Sequence, residues 1–420
     1  MFKLIRFFSS YKIQYAGLNR AKVKELGSYS VIFIVERILT GLLPLVILYL
    51  TDKDTYTRLE FIFSVATLLL PLSDFFTRMY FFYGYSVSEQ REQFIKVSCS
   101  ILTGQLILIL TASLFFLFSN KFDIFYALIR LGYLSFYFFL IDYLRLENNQ
   151  GKIIRDSIIL NSSIILFTTA DYYLFHIHSS LLFPFIVIMQ LGYIFYRLRK
   201  QKAMISLWSV KEVFPFFKKS TTYAFPILIN LSIAVFIQNY LKVHFYHNDN
   251  KQIMLVLSVL LRLGLSIQII HALLQSYFSK RIFLQELSFK RFFTAIYLPM
   301  LLLAGFAISF FEVVYFTYFN TSMQISASVI LLVNLYFLLW CISAILEILF
   351  TSRNKTLWLL GINVFCLACT FLIFFCFRLD RSNDLNKLVA LMCCQPAIFT
   401  LFVFLFYKNV FKKKVLVSYG

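Results

Sequence analysis

Four arginines and several carboxylates stand in stretches otherwise apolar enough to cross a bilayer. Glu36 and Arg37 interrupt SVIFIVERILTGLLPLVILYL (30–50), Asp74 and Arg78 close a second such run, and Arg130 and Arg262 lie within two more. A charge at mid-bilayer costs about 2.5–3.5 kcal/mol, so four cost of order 10 kcal/mol, comparable with the net stability of a whole protein. Retaining them argues for a function. Guanidinium is permanently charged and offers paired donors that match phosphate oxygens. Arg37, Arg78 and Arg262, with Arg130 as a lesser member, therefore point to an anionic ligand bearing a phosphate or diphosphate.

Helical spacing gathers these groups. Glu36 and Thr40 are four apart, Arg37, Gly41 and Pro44 form the neighbouring row, and Pro71, Asp74 and Arg78 recur at three and four. Asp74 and Arg78 can pair along one face. Two readings stay open. The charges line a cavity, or they act as glue between helices, with Glu36 bonded to Arg78 and Arg37 to Asp74, because adjacent residues do not face each other on a helix. Asp171 stands toward the end of a fifth run, and Glu312 and Glu347 lie near helix ends with the membrane interface in reach.

At 420 residues and 60% hydrophobic, the chain is more apolar than soluble proteins, which run at about 45–50%. A span needs roughly 20 apolar residues, and twelve runs qualify: 28–50, 59–83, 98–119, 124–144, 155–175, 179–197, 221–244, 252–278, 292–317, 325–350, 356–377 and 388–407. A β-barrel would instead alternate in polarity over segments of about ten residues. The expected fold is an all-α integral membrane protein of about twelve transmembrane helices, in two six-helix lobes around a central cavity. Its parts are a basic lead-in (1–27), an N-lobe (28–200), a connector (201–220), a C-lobe (221–407) and a basic tail (408–420). Ser28-Tyr29 and Thr222-Tyr223 open the two lobes alike, an echo that sets Asn230 opposite Glu36.

The net charge of +20 is mostly topology. Alternate loops and the two tails hold 28 of the 40 Lys and Arg, so the positive-inside rule places both termini in the cytoplasm, and nucleic acid is not an expected partner. The lead-in has no uninterrupted apolar stretch before a cleavage site, as a signal peptide would. Cys366 and Cys369 share a C-x-x-C spacing without a second pair; neither metal nor disulfide is expected. With no phosphate-cradling G-x-x-x-x-G-K-[ST] and only short external loops, neither a nucleotide-driven pump nor an enzyme is expected.

Two stretches give the sequence a family likeness. Residues 28–84, SYSVIFIVERILTGLLPLVILYLTDKDTYTRLEFIFSVATLLLPLSDFFTRMYFFYG, and 210–232, VKEVFPFFKKSTTYAFPILINLS, resemble the bacterial polysaccharide (O-antigen and capsule) flippases of the multidrug/oligosaccharidyl-lipid/polysaccharide (MOP) superfamily. One departure is that many members carry an Asp-Arg pair late in helix seven, where this chain reads FIQNYLKVHFY, with Lys242 as the nearby charge. The resemblance implies transport of an undecaprenyl-diphosphate-linked oligosaccharide from the cytoplasmic to the periplasmic leaflet of the bacterial inner membrane, by alternating access. It implies Arg37, Arg78 and Arg262, with Arg130, on the diphosphate, and Glu36, Asp74 and Asn230 in positioning or ion coupling. It implies no cofactor, a proton or sodium gradient as the candidate driving force, and polymerase and chain-length proteins as candidate partners. Alternatives are a multidrug or cation antiporter of the same superfamily, a peptidoglycan-precursor flippase and, less so, a membrane glycosyl polymerase or ligase.

Overall fold

In lipid every backbone N–H and C=O must be satisfied within its own segment, so apolar runs of bilayer length become helices. The computed structural model describes residues 20–75, 77–146, 151–175, 181–200, 210–247, 251–283, 288–319, 325–376 and 385–411. In chain order the long helices are α1 (Arg20–Leu50), α2 (Lys53–Phe75), α3 (Arg78–Val87), α4 (Arg91–Phe118), α5 (Phe122–Leu146), α6 (Gly151–Ala170), α7 (Leu182–Lys200), α8 (Val210–His247), α9 (Lys251–Phe283), α10 (Leu298–Val314), α11 (Ala327–Ser352), α12 (Thr356–Cys376) and α13 (Leu385–Phe411). One-turn π-helical segments extend α6 (Asp171–Phe175) and flank α10 (Phe293–Tyr297 and Tyr315–Phe319).

Eleven stretches among the described residues are long and apolar enough to cross a membrane. The run expected at 221–244 lies inside α8, which starts at Val210 and so carries helix into the expected connector. Large apolar side chains point outward from α4 (Leu108, Phe115) and α10 (Phe306, Phe310), surface that a bilayer covers.

The second expected helix departs from the sequence reading. It is two helices, with Thr77 at φ −122° and ψ −76° between them. Pro71, which removes one backbone hydrogen bond from its helix, stays within α2; the break falls one turn later, between Asp74 and Arg78, where Thr77 N–H donates to the Asp74 carbonyl at 3.3 Å.

In the first half α1 packs on α6, and α2, α4 and α7 pack on α5; in the second, α11 packs on α9, α10 and α13, and α12 on α8 and α13. The halves meet along a seam of α2 against α8 and α1 against α9. Gly264 brings α9 close to α11, since a Cβ there would overlap the Phe337 ring.

Candidate functional site

The seam holds the charges. Glu60, two turns into α2, is fully buried. Its Oε1 accepts from Arg262 Nε of α9 at 2.8 Å, and its Oε2 accepts from Lys242 Nζ of α8 at 3.2 Å. One carboxylate of the first half therefore clasps two cations of the second. Burying three charges is tolerable because each is paired at hydrogen-bond distance.

Arg262 also lines a cavity of about 200 Å³ between α1 and α9, together with Arg37, Thr40, Gly41, Ser266 and Gln268. Arg37 is drawn toward this space because Glu36, its neighbour in sequence, turns inward and is only 2% exposed. On the far side of Arg262 stands the Phe63 ring, with the Arg262 guanidinium carbon 5.7 Å from its centroid. Arg130 of α5 lies over the same ring at 4.5 Å and over Tyr133 at 5.3 Å. No carboxylate pairs with Arg130 among the described residues; aromatic faces stabilise its charge instead.

Behind the cavity wall Glu36 forms a polar hub inside the first half. Its Oε1 accepts from Ser157 Oγ at 2.8 Å and from Tyr137 OH and Thr40 Oγ1, each at 3.1 Å. Asn161 Nδ2 donates to Thr40 Oγ1 at 2.9 Å and to Ser157 Oγ at 3.3 Å. The other oxygen, Oε2, is buried without a hydrogen-bond partner and lies 3.3 Å from Arg37 Nε.

No family profile and no curated protein matches this sequence. Solved structures do resemble the chain. A MATE protein in complex with MaL6 aligns at TM-score 0.56 and 12% identity, over 92% of this chain and 95% of that one. A MOP superfamily transporter from Pyrococcus furiosus aligns at 0.55 and 11%, over 93% and 96%. A MATE protein in complex with Br-NRF aligns at 0.53 and 12%, over 92% and 96%. The fold is that of MATE and MOP-superfamily transporters. A multi-pass membrane protein with a transporter fold is thus the frame for the residues singled out by sequence.

Within this transporter fold the expected residues separate into groups. Arg37 and Arg262 come together on the cavity, with Arg130 next to Arg262 across Phe63. Arg78 does not join them. It donates from Nη1 to Asp74 at 2.8 Å and from Nε to Asp142 of α5 at 2.6 Å, while Asp142 also pairs with Arg145 at 3.1 Å. That group fastens the broken second span to α5. The Asp74–Arg78 pair forms as its spacing implies. The interhelical pairs Glu36–Arg78 and Arg37–Asp74 are replaced, because Glu36 finds hydroxyl donors and Arg37 while Asp74 keeps Arg78. Glu36 and Arg37 pair within one helix after all, the long guanidinium reaching back to its neighbour's carboxylate. Glu312, near the end of α10, is buried and accepts from Asn334 Nδ2 of α11 at 2.7 Å. The Asn230 side chain lies outside the described residues.

Sequence reasoning missed Glu60, Asp142, Tyr137, Ser157 and Asn161 and gave Lys242 no partner. Asp142 carried the same signal as Asp74, an acid in the apolar run FYFFLIDYL. Glu60 fell at the margin of an expected span, and hydroxyls and amides in apolar runs are too common to single out.

Proposed function

We propose that the chain is a flippase for an undecaprenyl-diphosphate-linked oligosaccharide, an O-antigen or capsule unit, carried from the cytoplasmic to the periplasmic leaflet of a bacterial inner membrane by alternating access of two lobes. The observation that carries this reading is the pair Arg37 and Arg262 on one cavity at the seam. Arg130 and Lys242 stand beside them, so four cations face only two carboxylates, Glu36 and Glu60. The excess matches the double negative charge of a diphosphate diester, and guanidinium suits its oxygens in paired geometry. The cavity is headgroup-sized; the lipid tail and sugars lie outside it in this reading.

The basic loops and tails support cytoplasmic termini. Glu36, with one oxygen free of hydrogen bonds, is the residue we assign to coupling with a proton or sodium gradient, with Asp74 as a positioning group. Polymerase and chain-length proteins are the expected downstream partners. The similar transporter from Pyrococcus furiosus is itself described by a binding pocket of reverse polarity that suggests a different function.

The test is flipping of a fluorescent polyprenyl-diphosphate oligosaccharide in proteoliposomes. The wild type is expected to flip it, and Arg37→Gln and Arg262→Gln each to slow flipping about tenfold or more, equivalent to about 1.4 kcal/mol. Both variants flipping at the wild-type rate overturns the reading. A multidrug or cation antiporter is the second reading, favoured by the buried Glu36 carboxylate and by the likeness to MATE proteins bound to other compounds. Gradient-driven uptake of a lipophilic cation, lost in Glu36→Gln and unchanged in Arg262→Gln, selects it.

A further inference from the structure

Arg262 belongs to two structures at once. Through Nε it holds Glu60 across the seam, and it also forms part of the cavity wall with Arg37. Among the described residues the hydrogen bond that Arg262 makes is the one from Nε. A guanidinium presents its donors in one plane, and two of its edges accept an anion in paired geometry. The Nε edge is therefore committed to a protein carboxylate while further donors stay free beside the cavity. Lys242 gives Glu60 a second cation, so losing Arg262 would leave the carboxylate paired rather than bare.

We propose that Glu60 is an internal stand-in for the ligand's anion: a diphosphate-class group entering the cavity takes Arg262 from it, and this exchange sets the ligand's affinity and loosens the seam at that end by removing one of its two ionic ties, Lys242 staying on Glu60. Glu60 is thus a specificity-determining residue that touches no ligand, and it favours ligands carrying more than one negative charge, because a monoanion offers Arg262 no more than Glu60 already does. The proposal rests on the anionic-substrate reading above. It adds that binding and the loosening of the seam share one arginine. The seam end concerned lies near the α1–α2 connection, where Lys53 of the first half is exposed; Ser326, exposed at the start of α11, supplies a label position on the second half.

The experiment uses the full chain in nanodiscs, titrated with inorganic diphosphate in one arm and with a polyprenyl diphosphate lipid in the other. Glu60→Gln keeps the shape of the side chain and removes its charge; it is expected to tighten binding of at least one probe about tenfold. Should that variant fold poorly with two cations left unpaired, Glu60→Gln with Lys242→Met removes one of them and carries the same expectation. Spin labels at positions 53 and 326, in a background lacking exposed cysteines, report the seam. Their separation is expected to increase when the wild type binds diphosphate, and to be already increased in Glu60→Gln without ligand. Unchanged or weaker binding in both variants, where wild type binds and Arg37→Gln weakens it, overturns the exchange and leaves the anionic reading standing. Tightening without a change in separation overturns the seam's part in it. A wild type that binds neither probe overturns this inference and the anionic reading together.

Discussion

The seam between the halves is closed at its two ends by different chemistry. Near the α1–α2 connection it is ionic: Glu60 with Lys242 and Arg262. At the α3 end it is aromatic. Tyr83 of α3 stacks on Tyr223 of α8 at 4.3 Å and 8°, Tyr80 packs edge-on to Tyr223 and to Phe216, each at 5.6 Å, and Phe82 lies 6.1 Å from Phe283 of α9. Aromatic pairs contribute about 0.5–1.5 kcal/mol each beyond the area they bury, and dissolved ions hardly alter them. A buried ion pair is strong in its low dielectric but open to exchange by any competing charge that reaches it. One end is held by charge and the other by packing.

Breaking each end separately tests this contrast. The largest expected effect is that of Glu60→Ala, which leaves two buried cations without their carboxylate and should cost about 3–5 kcal/mol, read as thermal unfolding in detergent. A loss no greater than that of a single stacking tyrosine would dissolve the distinction between the ends. Gly264→Ala comes next. Forcing a methyl against Phe337 should push α9 off α11, costing about 1–3 kcal/mol and lowering affinity at Arg262 two residues away, whereas the α3 end should keep its packing. Tyr83→Ala should cost about 1 kcal/mol from lost stacking and leave diphosphate binding within twofold of wild type; a larger change in binding would mean that the two ends are not chemically separate.

The smallest effect concerns the start of α2. Asp52 caps that helix, its Oδ1 accepting from Thr55 N–H at 2.7 Å and its Oδ2 from Thr55 Oγ1 at 2.8 Å. The Thr55 backbone N–H holds the carboxyl below its usual range. A carboxyl depressed on folding stabilises above its unfolded value, about 3.9, and that stabilisation is lost as the pH falls through the lower folded value. Asp52→Ala should therefore cost about 1 kcal/mol at neutral pH, and the gap between variant and wild type should close in strong acid. A gap that persists there would assign the effect to something other than the cap.

The fold was legible because the bilayer imposes a length that a linear reading can count, and the apolar runs bear this out from α1 to α13. The site was legible in half. Arg37, Arg130 and Arg262 announce themselves by cost, since a charge in an apolar run needs a reason. Their partners do not. Glu60 meets Lys242 and Arg262 across 182 and 202 residues of chain, and Arg78 meets Asp142 across 64, separations at which helical periodicity carries no information. The helix break was equally hidden: Pro71 marks the nearest weakness, yet the chain gives way where Asp74 and Arg78 are drawn toward α5.

That break has a mechanical meaning. Glu60 and the tyrosines at positions 80 and 83 belong to what sequence reads as one membrane span, and a single stiff rod would work as a lever tying both ends of the seam to one motion. Interrupted at Thr77, the span becomes two levers on a common pivot, with Arg78 pinned to Asp74 and Asp142 as the bearing. The ionic and aromatic ends of the seam thus sit on separate helices, each held by its own partners, rather than on one continuous rod.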